Sequence, residues 1–239
     1  VVRAYDAEHG TEVGLLKEPT TLGDIIASPD GRYFASTEFA WGFDAFGPPN
    51  VKEKGEVWLI SIREWKIQRV VQTLDHPDLL TSVTFSPDCQ MLALVVGALI
   101  QLWDWKAAQL TASLEELKDV SKVSEADDPF IHPVAFSPGG RYLAAVAANT
   151  VYLWELDSRK LIHLYEDHDA VSSIAFSADG QLLAIGGGGR IRIRRLLSGE
   201  IIRILEVTDS WIMLMAFSPD GRYLKSENNV RVWLWQVET

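Results

Sequence analysis

Residues 135–146, AFSPGGRYLAAV, say most of what this chain says, because they recur. TFSPDCQMLALV, AFSADGQLLAIG and AFSPDGRYLKSE are close variants, and IASPDGRYFAST is a looser one. The serine of each copy serves as an anchor: Ser28, Ser86, Ser137, Ser177 and Ser218, spaced by 58, 51, 40 and 41 residues. A period near 40 along a whole chain is the mark of a repeat architecture. The two longer spacings then contain insertions.

Each unit reads as four short strands. In the third, FIHPVAFS, RYLAAVAA, TVYLWEL and KLIHLYE alternate with turns. The first turn carries Pro, Asp and Gly. Pro presets φ, Asp bonds the neighbouring backbone, and Gly accepts positive φ. The second turn holds Asn149 in the third unit and Asn228 and Asn229 in the last, where asparagine suits a left-handed conformation. No segment keeps a helical period over a window of about 11 residues. MLALVV and LLAI are apolar on both faces, as in sheets covered on both sides. Four-stranded sheets, each covered by the next copy, predict an all-β fold, a β-propeller of four-stranded antiparallel blades with about five blades present. A β-sandwich would not carry one turn motif at a fixed 40-residue period. The expected boundaries are a partial blade at 1–19, blades at 20–75, 76–117, 118–168 and 169–208, and an incomplete blade at 209–239, all within one propeller domain.

At the third strand the residues resemble the WD-repeat family of β-propellers. LWDW at Trp103-Asp104 and LWEL at Trp154-Glu155 end third strands, and His76 and His168 follow fourth strands. The tryptophan stands 17 residues after the anchor serine at Trp103, Trp154 and Trp235. The same offset gives Arg194 in the fourth unit, Ile60 in the first once its insertion is removed, and Tyr5 in the N-terminal piece. The resemblance implies a His–Ser/Thr–Asp–Trp hydrogen-bond network, but the aspartate before the third strand is missing in GALI, AANT, GGGR and ENNV. Divergent repeats held mainly by apolar packing are the expectation. Two strands in the N-terminal piece, sixteen in four full units and three in the last make twenty-one. That fits neither five closed blades nor six, and the preferred reading is a part of a longer chain and a larger ring.

Function is expected where the repeat breaks. The first unit carries an insertion at 38–55, EFAWGFDAFGPPNVKEKG, with Phe39, Trp41, Phe43 and Phe46. Loop aromatics either fold back over the blade or anchor a partner. A second insertion at 115–130 is acidic and includes Asp127 and Asp128; it reads as a solvated loop, as a surface for a basic partner, or as a cation site. In a four-stranded blade both insertions emerge on the same side. On RIRIRRLL, Arg190, Arg192 and Arg194 share one face and Ile191 and Ile193 the other. Those arginines either pair with carboxylates of the neighbouring blade, meet solvent, or recognise an acidic partner.

Catalytic signatures are missing from the sequence. It has no G-x-S-x-G elbow and no H-E-x-x-H. His163 and His168 are five apart, a spacing that puts strand residues on opposite faces, and His168 reads as a loop cap. GGGGR (186–190) precedes a strand rather than the helix a phosphate loop needs, so it reads as a hairpin turn. Cys89 takes a glycine's place in its turn. As the one cysteine it excludes an internal disulfide framework and slightly favours a reducing compartment. A formal net charge of -11 disfavours nucleic acid. No apolar run approaches the roughly 18 residues that cross a bilayer. The expectation is a non-catalytic scaffold or sensor module, with no cofactor and no metal, that binds another protein or other subunits of an assembly through Phe39, Trp41, Phe43, Phe46, Asp127, Asp128, Arg190 and Arg192. The alternative is a propeller domain of a larger enzyme, gating a hydrolase or peptidase.

Overall fold

A computed structural model describes residues 2–5, 8–16, 22–38, 56–61, 66–72, 80–96, 99–114, 133–147, 149–166, 171–207 and 211–237. All regular structure among them is strand, in two compact units, Val1–Ser113 and Leu114–Thr239. In the first unit β1 (Val2–Tyr5) pairs with β2 (Glu12–Leu16). One four-stranded antiparallel sheet follows from β3 (Leu22–Ala27), β4 (Tyr33–Glu38), β5 (Glu56–Ser61) and β6 (Lys66–Gln72). The next is β7 (Leu80–Phe85), β8 (Met91–Val96), β9 (Leu99–Asp104) and β10 (Gln109–Leu114), which ends at the unit boundary. The second unit holds β11 (Val134–Phe136), β12 (Tyr142–Ala147), β13 (Thr150–Glu155) and β14 (Lys160–Glu166). It continues with β15 (Val171–Phe176), β16 (Leu182–Gly187), β17 (Arg190–Arg195) and β18 (Ile201–Glu206). Its last sheet has three strands, β19 (Leu214–Phe217), β20 (Tyr223–Glu227) and β21 (Val232–Gln236). The four-stranded sheets are β-propeller blades, and the twenty-one strands among the described residues are those read from the sequence.

The repeat sets one register. The residue six after each anchor serine pairs with the residue that the family fills with tryptophan: Phe34 with Ile60, Leu92 with Trp103, Leu143 with Trp154, Leu183 with Arg194, Leu224 with Trp235. The second strands are apolar on both faces because both faces are covered. In β8 five of six residues are buried, and in β16 all six are. One face of the β15–β18 sheet packs Leu183 and Ile185 against Val151, Leu153 and Tyr165 of the preceding sheet. Its other face packs Ala184, Ile191 and Ile193 with Met215 and Leu224 of the following one. In the first unit Ala35 and Leu59 pack with Val83, Leu92, Leu94 and Trp105. Trp105 meets Tyr33 edge-on at a centroid distance of 4.9 Å.

The anchor serine closes its own turn. Its Oγ accepts the main-chain N–H five residues on, at 2.8–3.0 Å in all five copies (Tyr33, Met91, Tyr142, Leu182, Tyr223). The hydroxyl donates to an aspartate two residues on: Ser28 to Asp30, Ser86 to Asp88, Ser177 to Asp179 and Ser218 to Asp220, at 2.5–2.6 Å. Each carboxylate also accepts a backbone N–H, from Arg32, Gln90, Gln181 and Arg222. The third turn has Gly139 in the aspartate's place. Glycine fills the left-handed position at Gly31, Gly140, Gly180 and Gly221, and Cys89 fills it at φ 55° in the second copy, a strain of order 1–2 kcal/mol. The tolerated substitution read from the sequence is therefore real and strained.

The serine hydroxyl beside each carboxylate holds Asp30, Asp88, Asp179 and Asp220 below the ordinary aspartate range. A depressed folded-state pKa means stabilisation that is present above the unfolded value, near 4, and lost as pH falls through the folded value. Replacing the four aspartates with asparagine should flatten the acid limb of the urea midpoint below about pH 4. An acid limb identical to that of the parent would refute this account of the turns.

In the last unit the second turn differs from its sequence reading. Among the described residues the left-handed positions are Cys89, Ala108, Arg159 and glycines; Gly188 and Gly189, at φ 53° and 82°, close the β16–β17 hairpin as a two-residue turn. Asn228 works through its side chain, whose Oδ1 accepts from the N–H of Val230 (2.9 Å) and of Arg231 (2.7 Å). Asparagine's ability to mimic a backbone turn, rather than its tolerance of positive φ, places it there.

Candidate interaction surface

Of the residues expected to meet a partner, Phe39, Trp41, Phe43, Phe46, Asp127 and Asp128 lie outside the described residues, as does His168. Arg190 and Arg192 are described. β17 alternates as its sequence implies: Ile191 and Ile193 are fully buried on one face, and Arg190, Arg192 and Arg194 stand on the other. Across the ladder Arg190 lies between Gly187 and Glu206, and Arg192 between Ile185 and Ile204.

Their environments grade along the strand. Arg190 is exposed, and its Nε lies 3.9 Å from Glu206 Oε1 on β18, a solvent-exposed pair that contributes little. Arg190 thus meets solvent, one of the expected outcomes, and the carboxylate nearest it belongs to its own sheet and not to a neighbouring blade. It does so because Glu206 is the cross-strand residue in register. Arg192 is half-buried and engaged with the protein. Arg194, in the tryptophan's place, donates from Nη1 to Gly199 O at 3.0 Å. Its guanidinium carbon lies 5.4 Å from the ring centroid of Tyr165, on β14 of the preceding sheet. The Tyr165 hydroxyl donates to Leu196 O, and burial pushes its pKa up. His163 stacks on the same ring at 5.5 Å. An arginine that looked available for a partner is thus part of the seam between two sheets. No spacing rule signals it, because Tyr165 and Arg194 belong to different repeats.

The tryptophan positions complete the picture. Trp235 Nε1 donates to Ser226 Oγ at 2.9 Å, one link of the family's hydrogen-bond network. Trp103 Nε1 turns instead to Gln101 Oε1 at 3.0 Å. Trp154 is 2% exposed and stacks on Tyr152. No group of three or more His, Cys, Asp or Glu side chains among the described residues is arranged to hold a metal ion.

The family model described as WD domain, G-beta repeat matches residues 159–194, from the end of the third unit through the β16–β17 hairpin of the fourth. That stretch has the sequence of a WD repeat. An uncharacterized WD repeat-containing protein of Synechocystis sp. is 32% identical over 105 residues, covering 41% of this chain and 30% of that protein. The small ribosomal subunit protein RACK1 of Drosophila melanogaster is 33% identical over 87 residues, 35% of this chain and 26% of that protein. Apoptotic protease-activating factor 1 of Rattus norvegicus is 24% identical over 247 residues, 96% of this chain and 18% of that protein. The chain spans under a third of the length of each of these curated relatives. The repeats of this chain diverge from one another at the WD register, since one of the described third strands carries Arg194 where Trp103, Trp154 and Trp235 stand in others.

Proposed function

We propose that this chain is a protein-interaction scaffold that binds a protein partner, or other subunits of an assembly, through its insertions at 38–55 and 115–130. The observation that carries the reading is where the repeat's polar chemistry goes. Each anchor serine is engaged with the backbone of its own turn, and each turn aspartate with that serine. Recognition then falls to residues outside the repeat pattern: Phe39, Trp41, Phe43 and Phe46 as rigid aromatic anchors, Asp127 and Asp128 for basic groups, and Arg190 and Arg192 for acidic ones. The RACK1 relative, by its name a ribosomal subunit protein, is itself a component of an assembly.

Deleting 38–55 should remove at least one partner recovered by affinity capture with the intact chain, while the urea midpoint of the deletion variant stays that of the parent. Recovery of every partner by the deletion variant would refute this site.

A further inference from the structure

The sheets β11–β14 and β15–β18 stack on each other within the unit Leu114–Thr239, and each has its four strands. Along their seam, burial falls from strand to strand. On β16, Leu183 and Ile185 are fully buried against Val151 and Leu153. In register with them on β17, Arg194 and Arg192 are half-buried. In register with those on β18, Ile201 is 41% exposed and Ile204 52%. Residues paired across a ladder share a sheet face, so all three rows look onto the same neighbouring sheet. Its outer strand answers with half-buried His163 and buried Tyr165, in register with Leu153 and Val151. Blades set around a ring diverge towards their outer strands, and this seam opens outward as a cleft.

Two chemistries meet there. Ile201 and Ile204 form an aliphatic row on β18. Beside it Arg190, Arg192 and Arg194 follow one another at every second residue of β17, over about 13 Å of strand. The residues opposite these three arginines on β16 and β18 include one carboxylate, Glu206. In a chain of net charge -11 this face reverses the local sign, and a concave surface of one sign concentrates the other. Arg192 and Arg194 are engaged with the protein and set the potential of the cleft. Arg190 supplies the exchangeable group. Its 3.9 Å pair with Glu206 joins side chains that are 51% and 74% exposed, so another carboxylate can replace Glu206 at little cost.

We infer that the cleft between β14 and β18 binds an extended segment of a partner protein in which acidic and aliphatic residues alternate. Alternate side chains of an extended segment point opposite ways. A segment running along the seam therefore sets its carboxylates over the arginine row and its aliphatic side chains over the isoleucine row. A nucleic acid would satisfy the arginines and leave Ile201 and Ile204 in water. The cleft takes Arg190 and Arg192 from the function proposed above, on which it rests for an acidic partner, and adds the two isoleucines; 38–55 and 115–130 play no part in it.

The probe is the synthetic peptide ELELELE, fluorescently labelled and titrated into the intact chain with anisotropy as the readout. Saturable 1:1 binding is expected, with QLQLQLQ and ESESESE each weaker by about tenfold. Arg190→Glu should weaken binding by about fivefold, and Glu206→Gln, which removes the competing carboxylate, should strengthen it by about twofold. Ile204→Ser should weaken it by about fivefold. All three positions are exposed, so the urea midpoints should stay those of the parent. The variant lacking 38–55 should bind the peptide as the parent does, which separates a failure of the cleft from a failure of the insertion site. Four results would overturn the inference: no binding; equal binding of ESESESE or of a single-stranded oligonucleotide, which would leave charge attraction alone; equal binding of QLQLQLQ; and an affinity unchanged by Arg190→Glu.

Discussion

Tyr165→Ala should lower stability by about 4 kcal/mol, read as a fall in the urea midpoint with unchanged m-value. The ring is 5% exposed and holds two sheets together. It packs in the core with Leu153, Leu183, Ile185 and Leu196, lies under the Arg194 guanidinium, and stacks on His163. Its hydroxyl satisfies Leu196 O, and a β-carbon on Gly199 would come within 3.0 Å of the ring. Truncation removes the buried area, leaves a cavity, and strands a carbonyl. Tyr165→Phe isolates the last of these and should cost about 1–3 kcal/mol. Arg194→Ala and Tyr165→Ala should be less than additive, since each removes the same cation–ring contact. Strict additivity would mean that Arg194 does not stabilise the seam through the tyrosine.

Gly186→Leu should cost about 3 kcal/mol, at the upper end of overpacking in a core. A β-carbon on Gly186 would lie 2.8 Å from Met215 Sδ and 3.2 Å from Ile212 Cγ2, both belonging to the segment that leads into and forms β19. Met215 is 4% exposed, so it has little space to retreat into. Beside this contact Ser172 Oγ donates to Ile212 O across the same seam. Met215→Ala vacates the space that the new side chain needs. In the Gly186→Leu background it should therefore destabilise far less than it does alone, and a calorimetric double-mutant cycle would read the coupling. Equal effects of Met215→Ala in both backgrounds would show that the added side chain is accommodated elsewhere.

The hairpin turn and the 40-residue ruler were legible in the sequence because both are local. Ser137, Gly140 and the strand alternation of RYLAAVAA all act within a dozen residues. The split of β17 into an arginine face and an isoleucine face was legible for the same reason. What the arginines touch was not. Glu206 meets Arg190 through cross-strand register, and Tyr165 meets Arg194 through the stacking of one sheet on another. Asn228 was placed in the right turn for the wrong reason, because a residue type that tolerates positive φ also bonds its own backbone, and spacing does not separate the two.

The serine-centred turn bears on how the chain is made. Each turn closes over five residues with its own hydroxyl and, in four copies, its own carboxylate. None waits for a distant segment, so the loop-closure entropy that slows most all-β proteins is small for each hairpin. A nascent chain leaving the ribosome can therefore settle one hairpin before the next has emerged.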